Sequence, residues 1–319
     1  MNFMIWRLHG NQAYFAAAAL VVLTTILLVT GSVMAHDYAV ALASCGATSS
    51  CADIGSFLFR GDGAIMDLVD LTLVTPLLFG LFWGAPLLAK EFEDGTHSLA
   101  WTQGVTRARW LRTNVMWALL AAAVWGAAMA ALVTWWHNPE NALGARFGTF
   151  DVQGFVPVAY SLFGVALGIA VGSVIRRVLP ALATTLALFL AIRVAIGIYL
   201  RPHYETPVAK LYSLLNGKAG QPANSWAISN SIVGPGGHNY GDQFSLNELP
   251  KGCASIFPGK GGGDGGMSSC LASHGFHQLV TFQPDTRFWA FQGIEAAIFV
   301  VLAAALIGFT FWRVLSRDA

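Results

Sequence analysis

The 319-residue chain is 55% hydrophobic and only 11% charged, with a formal net charge of +1 and a mean hydropathy of +0.57. A soluble domain carries about 25% charged residues, so this composition excludes an ordinary water-soluble fold and points to a membrane protein. The near-zero net charge argues against a nucleic-acid partner, which requires a basic face.

A helix that crosses the hydrocarbon needs roughly 20 mostly apolar residues, and six runs meet that need. The first, 13–34, holds no charge. It is too long for a signal-peptide core and no A-x-A site directly follows it, so a retained helix is expected. The second, 68–88, contains Pro76 and Pro86, whose missing N–H groups predict kinks. The third is 115–136. The fourth, 155–175, places Gly164, Gly168 and Gly172 at every fourth position, a row that lets another backbone approach closely. Its partner helix, in this chain or another, stays open. The fifth, 179–200, has Pro180 in its first turn, where a missing N–H costs little. The sixth is 289–311. The expected fold is all-α and polytopic, a single transmembrane domain over 1–319.

Lys and Arg density sets the orientation. With the N-terminus inside, the inner segments carry nine basic residues in 49 positions and the outer ones eight in 139. That roughly threefold ratio predicts both termini in the cytosol. All four cysteines, Cys45, Cys51, Cys253 and Cys270, then fall outside, where disulfides persist. Three pairings are possible, of which Cys45–Cys51 with Cys253–Cys270 is the simplest. The long 201–288 connection is expected to be a disulfide-tied extracytoplasmic loop, too Gly-rich to build a core alone. Two motifs in it are discounted. Gly259-Lys260 lacks the first Gly and the final Ser/Thr of a phosphate loop. Cys253, Cys270, His274 and His277 are zinc-ligand types, but their wide spacing and an oxidising compartment favour a disulfide, and no metal is expected.

Three charges lie in or at the edge of spans: Asp70, Arg193 and Glu295. Arg193 and Glu295 are seven and six residues from the outer ends of their spans, roughly 10 Å deep at 1.5 Å per residue. Equal depth predicts an ion pair, read first as a structural lock between the fifth and sixth helices and second as a gate or substrate contact.

The connection 90–114 concentrates charge: Lys90, Glu91, Glu93 and Asp94, then Arg107, Arg109 and Arg112. The second helix is expected to run past the membrane to Gly95, a residue suited to a left-handed cap. Thr96 then caps a short helix over 97–103, where Leu99 and Trp101 reach headgroup level. Gly104 breaks it and Thr106 caps the third helix. An elbow with an acidic limb and a basic limb results. The positive-inside rule alone explains the arginines, but not the acidic cluster, the Gly-Thr turn or the short apolar helix.

KEFEDGTHSLAWTQGVTRARW resembles the intracellular coupling segment of ABC-2 type transporter permeases, in a form similar to a group common in actinobacteria. Lys90, Glu91, Glu93, Gly95, Thr96, Leu99, Val105, Thr106 and Arg107 match that pattern, whereas Asn114 stands where relatives often carry Lys. The resemblance implies a permease subunit of an ATP-driven exporter in a bacterial plasma membrane. It implies two copies of the permease with two copies of a cytosolic ATPase that binds ATP and magnesium. Glu91, Glu93, Asp94, Gly95, Thr96, Leu99, Trp101, Thr106, Arg107 and Arg109 would form the ATPase-coupling surface. The chain itself shows neither a Walker A motif nor an LSGGQ-like signature, and no catalytic residue or cofactor of its own is expected. Apolar spans suit a hydrophobic or amphipathic cargo. Two other readings stand beside this one: an ion-driven secondary transporter using the buried charges, and a sensor or immunity subunit whose outer loop binds a peptide or antibiotic. A membrane enzyme has no HExxH or GxSxG to support it.

Overall fold

The computed structural model describes residues 2–45, 72–94, 106–143, 146–214, 225–241, 250, 253 and 264–316. Among these, six helices are long and apolar enough to cross a membrane: Val21–Ala43, Thr72–Glu93, Arg107–Trp136, Val156–Ile175, Val178–His203 and Asp285–Ser316. The chain is a multi-pass membrane protein, and these are its first to sixth spans. The first belongs to a longer helix, Asn2–Cys45. The third starts eight residues before the expected 115, because its cap is Thr106, whose Oγ1 accepts the Arg109 N–H at 3.4 Å.

Contacts divide the chain into two units. One comprises Met1–Ala142, Thr149–Ile196 and Trp289–Ala319; the other comprises Leu143–Gly148 and Gly197–Phe288. In the first unit the second span is segmented rather than simply kinked. A 3-10 turn (Thr72–Val74) leads into a short α-helix (Thr75–Phe79), a π-helix (Gly80–Gly84) and a second α-helix (Ala85–Glu93). Pro76 and Pro86 each lie in the first turn of an α segment, where the missing N–H is least costly. The π turn between them takes up the change in register.

The glycine row of the fourth span has its partner in this same chain. A Cβ on Gly164 would sit 2.5 Å from Pro76 O, and one on Gly172 2.5 Å from Ala85 O. From the other side, a Cβ on Gly80 would meet Gly164 O at 2.5 Å and one on Gly84 would meet Val165 O at 2.7 Å. The second and fourth spans therefore pack backbone to backbone, and the fourth is the most buried of the six, at 78%. Phe79, Leu88, Leu111, Val115, Val165, Ile169 and Val314 form a buried cluster alongside this seam.

The second to sixth spans alternate in direction, as their end contacts show. Glu93, Ser173, Val178 and Arg313 meet at one end, through Val178 N–H to Glu93 Oε2 (2.8 Å) and Arg313 Nε–H to Ser173 O (3.2 Å). The other ends meet through Gly154 N–H to Thr134 Oγ1 (3.2 Å) and Arg193 Nη1–H to Leu73 O (3.2 Å), while Trp136 Nε1–H reaches Thr30 Oγ1 (3.0 Å) midway along the first span.

The second unit corrects the all-α expectation. It holds a three-stranded antiparallel sheet in the order β1-β3-β2, with β1 at Val208–Ser213, β2 at Ser225–Val233 and β3 at His277–Pro284. Val208 pairs with Phe282 across β1 and β3, and β2 carries a bulge between Ala227 and Ser229. Central β3 buries Val280 and Phe282 at alternate positions, the period-two pattern of a half-buried strand. A helix at Asp264–Ser273 precedes it, and Cys253 is bonded to Cys270 with the Cα atoms 5.8 Å apart. Arg287 closes the segment on itself: its Nε pairs with Glu205 Oε2 at 2.6 Å and its Nη1–H donates to Thr206 O at 2.8 Å. Phe147 stacks on Trp226, 5.7 Å between centroids, which ties residues 143–148 into this unit.

Candidate functional site

Two groupings in the first unit carry chemistry. The first is formed by the limbs of the charged connection. Lys90, Glu91 and Glu93 lie in the last turns of the second span and Asp94 is its C-cap, its N–H bonded to Lys90 O at 2.9 Å. Arg107 and Arg109 lie in the first turn of the third span beyond Thr106. Both limbs are thus continuous with membrane helices. Gly95, Thr96, Leu99 and Trp101, together with the expected short helix over 97–103, lie outside the described residues. Glu93 does not simply face solvent: its carboxylate caps the N-terminus of the fifth span at Val178. Beside it the Phe92 ring lies 4.9 Å from the Arg176 guanidinium carbon. The sequence reading missed both contacts, since nothing in the run of residues ties position 93 to position 178.

The second grouping is a polar centre, partly buried, at the opposite ends of the second, fourth, fifth and sixth spans. Arg193 reaches Asp151, with Nη2 3.5 Å from Oδ1, and its guanidinium lies 4.0 Å from the centroid of the Tyr160 ring. The Tyr160 hydroxyl donates to Asp151 Oδ1 at 2.8 Å and also meets Glu295 Oε1. Tyr160 and Glu295 are fully buried, at 0% and 1% exposure. The two expected intramembrane charges are therefore brought to one centre through Tyr160, with Asp151 as a carboxylate partner of the arginine. Asp151 precedes the fourth span and Tyr160 lies within its first turns; a polar pair nine residues apart at the mouth of an apolar run was the available signal. Asp70 lies outside the described residues.

One helical turn from Glu295, Gln292 is fully buried. Its Oε1 accepts N–H bonds from Phe155 (3.0 Å) and Val156 (3.1 Å), and its Nε2–H donates to Phe150 O (2.8 Å). Glu295 and Tyr160, buried beside the partly exposed Arg193 and Asp151, are costly in lipid unless their polar atoms are partnered. The arrangement can hold four spans together at one end, and its separation would release them together.

The cysteines and histidines behave differently. Cys45 ends the first helix with its side chain outside the described residues, as is Cys51. Among the described residues, Cys253, Cys270 and His274 bring ligand-type atoms within 4.8 Å of one another. The two sulfurs are bonded to each other, which leaves the imidazole as the one available donor of the three.

A family model described as "ABC-2 membrane transporter related" matches residues 17–201, more than half of the chain. No curated relative and no solved structure matches it.

Proposed function

The chain belongs to the ABC-2 membrane transporter related family, and from that premise we propose how this ABC transporter permease works. It is the membrane-spanning half of an ATP-driven exporter in a bacterial plasma membrane, with both termini in the cytosol. Two copies assemble with two copies of a separate ATPase, which holds the ATP and magnesium. Closure of the ATPase pair displaces the charged segment at 90–114, and a path between the permeases opens to the outside for a hydrophobic or amphipathic cargo. The observation that carries this reading is the continuity of both charged limbs with membrane helices, through the second span to Asp94 and from Thr106 into the third. A push on either limb is then carried into its span along helical backbone. Glu91 and Asp94 on one limb and Arg107 and Arg109 on the other offer both signs of charge to a complementary groove.

The polar centre of Asp151, Tyr160, Arg193 and Glu295 serves in this scheme as a latch on the outer ends of the spans, not as an ion relay. Its groups are joined to one another and to the Leu73 carbonyl. The test is to capture the tagged full chain from its native membrane. A stoichiometric ATPase is expected to co-purify and to be lost when residues 95–107 are scrambled. A chain that purifies alone, whatever its 95–107 sequence, would overturn the coupling reading.

A further inference from the structure

This inference rests on the coupling reading above and assigns it a transmission path. A helix start leaves its first N–H groups without intrahelical partners. At the fifth span the residue before Val178, Arg177, supplies no side-chain cap. The Val178 N–H is taken instead by Glu93 Oε2 at 2.8 Å, from a residue 85 positions away at the end of the second span. A carboxylate suits that place, because it meets both the unpaired N–H and the positive end of the helix dipole. One residue earlier, Phe92 lies under the guanidinium of Arg176. Arg176 caps the end of the fourth span with φ at 57°, the one non-glycine among the described residues in the left-handed region. That conformation is uncommon for a side-chain-bearing residue and persists where surrounding contacts hold it. Two consecutive residues of the second span therefore grip both sides of the turn joining the fourth and fifth spans.

We propose that Phe92 and Glu93 form a clasp that passes displacement of the charged segment to the fifth span, which makes Glu93 a positioning residue of the transmission path and not a docking charge for the partner. The glycine seam already fixes the second span to the fourth. The clasp adds the fifth, so that a motion entering at the elbow is carried by three helices at once.

The experiment is amide hydrogen exchange on the full chain in complex with its co-purified ATPase, with and without ATP plus orthovanadate. In the wild type the Val178 amide is protected at rest, and trapping changes exchange over both 106–112 and 178–182. Glu93→Ala is expected to lose resting protection at Val178 by tenfold or more and to leave 178–182 unresponsive, while 106–112 still responds. Glu93→Gln keeps an acceptor oxygen and restores both. A response at 178–182 that survives Glu93→Ala overturns the clasp while leaving the coupling reading in place. If the wild type shows no response at 106–112, the coupling reading fails and the transmission role falls with it.

Discussion

Gln292 holds the start of the fourth span from the sixth. Phe155, the residue before that helix, offers no side-chain cap, and the N–H groups of Phe155 and Val156 both go to the one glutamine oxygen. The glutamine amide nitrogen returns a bond to Phe150 O. Leucine at 292 would match the volume and remove the glutamine partner from three backbone groups in a buried site, each at about 1–3 kcal/mol when uncompensated. Gln292→Leu is therefore expected to lower the unfolding free energy by about 3 kcal/mol or more, read by denaturant titration in lipid-like micelles. Gln292→Glu accepts the same two N–H groups but cannot serve Phe150 O when ionised, and should fall between. A loss below about 0.5 kcal/mol for leucine would mean that these N–H groups find other partners. In both this cap and the Glu93 cap, a helix start is served by a side chain from a different span. Such caps are invisible to local reading, which looks for Ser, Thr, Asp or Asn at the helix's own first position. Thr106 obeys that local pattern, and it was legible for that reason.

At the scale of elements, the glycine seam makes the sharpest prediction. A Cβ on Gly168 would press on the Gly80 carbonyl oxygen, lie 2.6 Å from Ala85 N and 2.9 Å from Gly84 C. All three are backbone atoms that cannot rotate away, so Gly168→Ala should cost about 1–3 kcal/mol by forcing the second and fourth spans apart. Gly308 in the sixth span has nothing within 4 Å of its built Cβ. There alanine should be neutral or stabilise by roughly 0.5–1 kcal/mol through helix propensity. Equal effects at the two positions in an unfolding titration would dismiss the seam. The sequence announced the small-residue row and the six spans, because both are written in consecutive residues with strong periodicity. It did not announce the π turns at Gly80–Gly84 and Ile196–Leu200, for which no run of consecutive residues carries a signal. It also hid the sheet. The stretch HQLVTFQP has the apolar, β-branched and aromatic centre of a strand, but the glycine-rich residues before it dominate the composition of 201–288. Its partners Val208–Ser213 and Ser225–Val233 lie more than 40 residues upstream, so the pairing that stabilises all three is long-range.

For the whole molecule, orientation decides which of these features can meet an ATPase. The charge count favours the cytosol for the termini and for both 90–114 and 176–178. The described contacts bring the ends at Glu93, Ser173, Val178 and Arg313 together, so these four ends share one side of the membrane whichever side that is. The prediction is a reporter experiment in intact cells. An epitope placed in the glycine turn at 236–237, where Gly237 has φ at 78° and no neighbour within 4 Å of its built Cβ, is expected to be stained without permeabilisation. A tag after residue 319 is expected to need permeabilisation. The reverse pattern would put the basic segments and the Glu93 clasp outside, beyond reach of any nucleotide-binding partner. It would also place Cys253 and Cys270 in a reducing compartment, where their bond would not persist. The two markers thus test one arrangement from both faces, because an outside disulfide and an inside coupling segment require the same orientation of the six spans.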